Sequence, residues 1–148
     1  MRFLSLFLAV APVAMASIEF TGPDPSSKLN LSAPITISWK EVGDEDANWP
    51  IFDLSWSGVM ADGGGSFGYT IKENLTVSSG KYVWDPTNEI QSLQSAKNRL
   101  SEDKDFAFEG FQHGNGSSAG SSSTSEKFAV EGYELIGNVA EIATETLK

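Results

Sequence analysis

The stretch Pro34-Ile35-Thr36-Ile37-Ser38-Trp39-Lys40 decides the fold class. Its apolar residues Ile35, Ile37 and Trp39 occupy every second position, and polar residues stand between them. Because side chains of a β-strand point alternately to the two faces of a sheet, this pattern indicates a strand with one buried face.

The same alternation returns along the chain. Further strands are predicted at residues 18–20, 52–57, 69–71 and 75–77, and around Tyr82/Trp84, Phe106/Phe108 and Phe128/Val130. About seven or eight short strands, separated by Gly, Pro, Asp and Ser turns, are typical of an antiparallel β-sandwich. We expect Trp39, Trp56 and Trp84 to be buried together in its core.

Two segments depart from this alternation. Ile90, Leu93 and Leu100 lie at helical spacing, which predicts a short helical insertion over residues 87–100 with Thr87 as its N-cap. Residues 114–125 are almost entirely Gly, Ser and Thr. That composition buries little apolar surface, so we predict a mobile loop between the last two strands.

The two ends of the chain differ from the sandwich. Residues 1–16 combine Arg2, an apolar run and Ala14-Met15-Ala16, which predicts a signal peptide cleaved before Ser17. The sandwich domain is then expected over residues 17–130. The tail, residues 131–148, is expected to be helical, and it lacks the hydrophobic signal of a lipid anchor. We therefore expect secretion without a stable membrane anchor.

Composition narrows the range of partners. The chain has 20 acidic and 10 basic residues, a net charge of −10 and no cysteine. Nucleic acids and anionic lipids are poor partners, because no Lys/Arg cluster is present to neutralise phosphates. Without disulfides, a secreted domain must be stabilised by burial of its aromatic side chains.

Two motifs suggest cofactor or metal sites, but neither has the required context. Gly63-Gly64-Gly65-Ser66-Phe67-Gly68 spells a dinucleotide-binding pattern, yet a strand and not a helix follows it, which favours a flexible hairpin loop. Asp44-Glu45-Asp46-Ala47-Asn48 resembles the start of a calcium loop, but Trp49 and Ser55 stand where Gly and Glu are needed. We predict no cofactor and no metal.

Catalysis is not expected either. His113 is the only histidine and lies beside the Gly/Ser tract, which makes a serine-type triad improbable. Paired carboxylates could hydrolyse glycosides, but neither Asp53 nor Glu109 has the apolar setting of a general acid. Three sequons, at Asn30, Asn74 and Asn115, predict glycosylation of an exported chain.

The strand residues also resemble a known family. Ile35-Thr36-Ile37-Ser38-Trp39, Gly80-Lys81-Tyr82-Val83-Trp84-Asp85-Pro86 and Phe128-Ala129-Val130 are similar to the N-terminal Ig-like domain of the yeast cell-wall synthesis and Ser/Thr-rich GPI-anchored family of fungi. The resemblance spans residues 17–130. It implies an Ig-like β-sandwich at the cell wall or in the extracellular space, associated with β-glucan.

The resulting hypothesis is a secreted, non-catalytic fungal glycoprotein that binds β-glucan or assists cell-wall organisation. Trp49 is the predicted sugar-stacking residue, with Asp44, Asp46 and Asn48 as hydrogen-bonding neighbours. The alternative is that Trp49 covers one end of the sandwich. Two rival functions stay open: a secreted effector that binds a host or microbial protein, and a weak glycoside hydrolase.

Overall fold

Strands make up most of the structure, a computed structural model that describes residues 17–42, 49–114 and 120–137. The described residues form nine strands, one α-helix and one 3-10 turn. In chain order these are β1 (Ser17–Gly22), β2 (Leu29–Asn30), β3 (Ile35–Val42), β4 (Ile51–Val59), β5 (Ser66–Thr76), the 3-10 turn (Val77–Ser79), β6 (Lys81–Trp84), α1 (Thr87–Ser95), β7 (Ala107–His113), β8 (Gly120–Thr124) and β9 (Val130–Glu131).

The strands form two antiparallel sheets and one small parallel pair. The three-stranded sheet has the order β1-β3-β6, and the four-stranded sheet has the order β5-β4-β7-β8. The short strands β2 and β9 pair in parallel. The predicted all-β class is confirmed, and the arrangement is consistent with a sandwich. The Ig-like identity of that sandwich stays a prediction.

Aromatic side chains fill the space between the two sheets. Trp39 and Trp84 come from the three-stranded sheet, whereas Phe52 and Trp56 come from the four-stranded sheet. The ring centroids of Trp39 and Phe52 are 4.8 Å apart, and those of Trp56 and Trp84 are 5.2 Å apart. The predicted burial of all three strand tryptophans is confirmed.

A buried polar side chain also joins the sheets. Gln112 on β7 is fully buried, and its Oε1 accepts a hydrogen bond of 2.9 Å from the Ile18 amide on β1. Its Nε2 donates to the carbonyl oxygen of Trp49 at 3.4 Å. In a chain without cysteine, Gln112 thus provides a polar link from one sheet to the other.

The helical insertion is shorter than predicted. Helix α1 ends at Ser95, and Ile90 and Leu93 face the core. The predicted N-cap role of Thr87 is wrong, because Thr87 is already helical and its amide and hydroxyl both donate to Asp85 Oδ1. No described helix has the length and apolar character needed to cross a membrane.

The prediction of a mobile loop over residues 114–125 is wrong for Gly120–Thr124, which form β8. This strand pairs with β7 through its backbone, so it needs no apolar side chains of its own. A side chain at Gly120 would collide with the carbonyl oxygen of Gln112, so glycine allows the close approach of the two strands. Residues 115–119 lie outside the described residues.

The predicted helical tail is also wrong over residues 131–137, which extend the domain beyond residue 130. Tyr133 is buried and its hydroxyl donates to the carbonyl oxygen of Asn98. The Leu100 amide donates to the Leu135 carbonyl at 2.9 Å. These contacts place residues 131–137 against the connection that follows α1. The apolar side chains of residues 131–137 cover the core there. Residues 138–148 lie outside the described residues.

The glycine-rich motif at residues 63–68 connects β4 to β5. Gly63 and Gly65 adopt positive φ angles, and β5 begins at Ser66. The predicted hairpin is confirmed, since β4 and β5 are antiparallel neighbours.

Candidate functional site

The outer face of the four-stranded sheet carries a polar surface. The strands alternate, so residues between the buried positions of β4 and β7 point away from the core. A shallow pocket of about 120 Å³ lies on this face. Its lining includes Asp53, Ser55, Glu109, Phe111, Ser122 and Thr124.

One aromatic ring stands out on this polar surface. Phe111 is 40% exposed, and it is the only aromatic among the large apolar side chains exposed in the described part of the chain. Its ring lies nearly parallel to that of His113, two residues further along β7, with a centroid separation of 6.0 Å and an angle of 23°. We call this pair the Phe111–His113 platform.

Asp53 on β4 holds the His113 ring in place. His113 Nε2 lies 3.2 Å from Asp53 Oδ1, and Nδ1 lies 3.2 Å from the Gly114 carbonyl oxygen. Both neighbours are acceptors, so a doubly protonated ring can donate to each of them. Asp53 Oδ1 also accepts the Asn74 amide at 2.9 Å. Asn74 has a φ of 55° where the register of β4 and β5 shifts.

This pairing changes the pKa of both groups. The hydrogen bond to Asp53 raises the pKa of His113, and the Gly114 carbonyl adds to the effect. Partial burial opposes ionisation of Asp53, but the Asn74 amide and the His113 ring outweigh it and lower its pKa. The Asp53–His113 pair therefore stabilises the folded chain at pH values between the two pKa values, where Asp53 is ionised and His113 is protonated. Its contribution is lost when Asp53 is protonated in acid and when His113 loses its proton as the pH rises.

Replacement of Asp53 by asparagine is expected to lower the pKa of His113, since the carboxylate that favours the charged ring is removed. His113 is the only histidine, so its ring protons give a single titration curve by NMR. Glu109→Gln is the comparison, because Glu109 bonds to Ser57 and not to the imidazole. An unchanged His113 titration in Asp53→Asn would contradict the pairing.

The predicted sugar site is only partly described. Trp49 is half-buried, and its carbonyl oxygen accepts from Gln112. It lies two residues before Ile51, whose partner across the sheet is His113, so it stands near one end of the platform. Asp44, Asp46 and Asn48 lie outside the described residues. Sugar binding by these four residues stays a prediction.

Two of the three sequon asparagines are described, and both are exposed. Asn30 Oδ1 accepts hydrogen bonds from the amide and hydroxyl of Ser32, the third residue of its sequon. Asn74 lies beside Asp53 at the edge of the polar surface. Asn115 lies outside the described residues, and glycosylation at all three stays a prediction.

The platform is not among the sites predicted from the sequence. Phe106 and Phe108 predict a strand with an inward face, and the same alternation makes residue 111 an outward position. An aromatic at an outward position is the signal that could have identified Phe111. The partner of His113 could not be found in this way, because Asp53 is 60 residues distant in sequence.

Carboxylates and hydroxyl groups are the main polar groups of this surface. Within residues 17–42, 49–114 and 120–137, no group of three or more His, Asp or Glu side chains is placed to hold a metal ion. Comparisons with protein-family models, with curated proteins and with solved structures find no match.

Proposed function

We propose that the chain is a secreted, non-catalytic fungal glycoprotein that binds neutral β-glucan through the outer face of its four-stranded sheet. The observation that carries the proposal is the exposed ring of Phe111, stacked on His113 within a polar surface. A sugar ring has an apolar face that stacks on aromatics and hydroxyl groups that bond to polar neighbours.

Polar groups that can bond to sugar hydroxyls surround the platform. Asp53 and Glu109 supply carboxylate acceptors, and Ser55 and Ser122 supply hydroxyls that both donate and accept. Trp49 stands near one end of the platform and is the stacking residue expected from the sequence. The proposed site therefore extends the predicted one onto the sheet.

The charge of the surface favours a neutral polysaccharide. Asp53 and Glu109 lie on the binding face, and the net charge of the chain is −10, so an anionic polymer would be repelled. The lowered pKa of Asp53 argues against its acting as a glycosidase general acid, which requires a raised pKa.

Replacement of Phe111 by alanine is expected to weaken glucan binding about two- to tenfold, because the stacking surface is lost. The protein is recovered from culture medium, with its N-terminus expected at Ser17, and incubated with insoluble β-1,3-glucan, β-1,6-glucan, chitin or cellulose. Val83→Ala is the matched control, because Val83 is 58% exposed on the other sheet.

Three outcomes separate the alternatives. Weakening of binding by about two- to tenfold in Phe111→Ala, with an unchanged melting temperature, supports the platform. Loss of binding in Trp49→Ala alone moves the site to the segment predicted from the sequence. If the wild-type protein is retained by none of the four polysaccharides, the proposal is wrong.

A further inference from the structure

A second surface lies between the two sheets. A groove of about 610 Å³ separates β1 from β8, which are the edge strands of the three-stranded and the four-stranded sheet. Apolar side chains and hydroxyl groups line it together. The residues used below are Glu19, Phe20, Thr124 and Glu126.

Some backbone groups of β1 point away from β3, on the side of this groove. The Ile18 amide donates to Gln112 and not to β3. In an antiparallel pair the peptide groups alternate between the two sides of the strand, so those of Phe20 also point away from β3. No described strand pairs with β1 on this side.

Backbone groups of β8 also point toward the groove, from the wall opposite β1. The Ser125 amide donates to the Phe108 carbonyl of β7 at 2.8 Å. The peptide groups of Thr124, one residue earlier, therefore point away from β7 and toward the groove. Among the described residues no strand pairs with either of these two edges. β1 and β8 lie too close together for one strand to bond to both, so an added strand pairs with one edge and fills the groove beside it.

The charge of the groove indicates what such a strand carries. Its charged lining residues, Glu19 and Glu126, are both acidic, and no basic residue lines it. Lys40 lies 3.5 Å from Glu19, but both side chains are more than half exposed, so this ion pair offsets the charge only weakly.

We propose that the groove between β1 and β8 binds an extended peptide by strand addition, with a Lys or Arg side chain of the peptide against Glu19 or Glu126. The peptide backbone repeats its donors and acceptors every two residues, about 6.8 Å, which matches a strand edge. This site does not depend on glucan binding at the platform.

The test uses a blocked octapeptide of alternating Lys and Val, titrated into the protein and followed by NMR. Binding is expected to shift the amide signals of Phe20 and Thr124. Two further peptides carry methyl groups on alternate backbone nitrogens, one on the Lys nitrogens and the other on the Val nitrogens. Each of them therefore lacks the donors along one edge of the peptide. We expect one of the two methylated peptides to bind about tenfold more weakly than the unmodified peptide, because its methyl groups block the edge that bonds to the protein.

Substitutions in the protein test the charge. Glu126→Gln is expected to weaken peptide binding about threefold. Glu41→Gln, an exposed position on β3 outside the groove, is the matched control and should leave it unchanged. An octapeptide of alternating Glu and Val should not bind.

The proposal fails if the Lys/Val peptide leaves the Phe20 and Thr124 signals in place, or if both methylated peptides bind as well as the unmodified one. It also fails if a β-1,3-glucan trisaccharide shifts the Phe20 signal and the peptide does not, since the groove is then a sugar site. Phe20 is the reporter here because Thr124 also lines the polar surface of the four-stranded sheet. Phe111→Ala should bind the peptide normally, so failure here is distinguishable from failure of glucan binding.

Discussion

Replacement of Trp56 by alanine is expected to lower the free energy of unfolding by about 3 to 5 kcal/mol. Trp56 is fully buried, and its ring packs against Phe67, Trp84 and Phe106. These rings belong to both sheets and to the segment before β7, so they cannot close together without moving strands. A domain of this size is stable by about 5 to 15 kcal/mol in total, so little folded protein should be recovered.

Urea unfolding compares this variant with two controls. Trp56→Phe keeps an aromatic ring, and the Nε1 atom that it removes is buried without a hydrogen-bond partner among the described residues, so its cost should be smaller. Val83→Ala changes an exposed side chain and should be close to wild type. An unchanged midpoint for Trp56→Ala would show that Trp56 is not a core residue.

Much of the fold could be predicted from the sequence because burial of one face leaves a two-residue period. That period identified β3, β4 and β6, and with them the three core tryptophans. It did not show that residues 69–71 and 75–76 belong to one strand, β5, and the predicted second strand wrongly includes Val77, which begins the 3-10 turn. The register shifts opposite Phe52 and Leu54 interrupt the alternation of β5 there, so it resembles two short strands.

The elements that were missed are held by contacts that leave no such period. β8 is a run of Gly, Ser and Thr that pairs through its backbone, and composition alone made it look like a loop. The segment after β9 packs by individual contacts, such as the Tyr133 hydroxyl on the Asn98 carbonyl. Neither contact can be inferred without knowing which strands are neighbours.

One part of the candidate site could also be predicted from the hydrophobic period, and another part could not. Phe111 could have been identified from the alternation of β7, because it occupies an outward position. The fixing of His113 by Asp53 and Asn74 depends on the alignment of β4 with both of its neighbours. Predicting it requires the register of three strands, which hydrophobic patterns do not specify.

Gln112 is an inward residue of β7 whose replacement is expected to have the second-largest effect on stability. Gln112→Leu keeps a side chain of similar size but removes the acceptor of the buried Ile18 amide and the donor to the Trp49 carbonyl. Buried polar groups left without partners cost about 1 to 3 kcal/mol, so the urea midpoint should fall accordingly.

The matched control is Gln91→Leu, the same change at an exposed position of α1, where we expect less than about 0.5 kcal/mol. Hydrogen exchange of the Ile18 amide reports specifically on its hydrogen bond to Gln112, which joins the two sheets. Its amide should exchange faster in Gln112→Leu, because β1 loses its bond to the four-stranded sheet. If both the midpoint and the Ile18 exchange rate match the wild type, Gln112 does not join the sheets. If only the midpoint falls, the side chain contributes through packing, and the Ile18 amide is held by another partner.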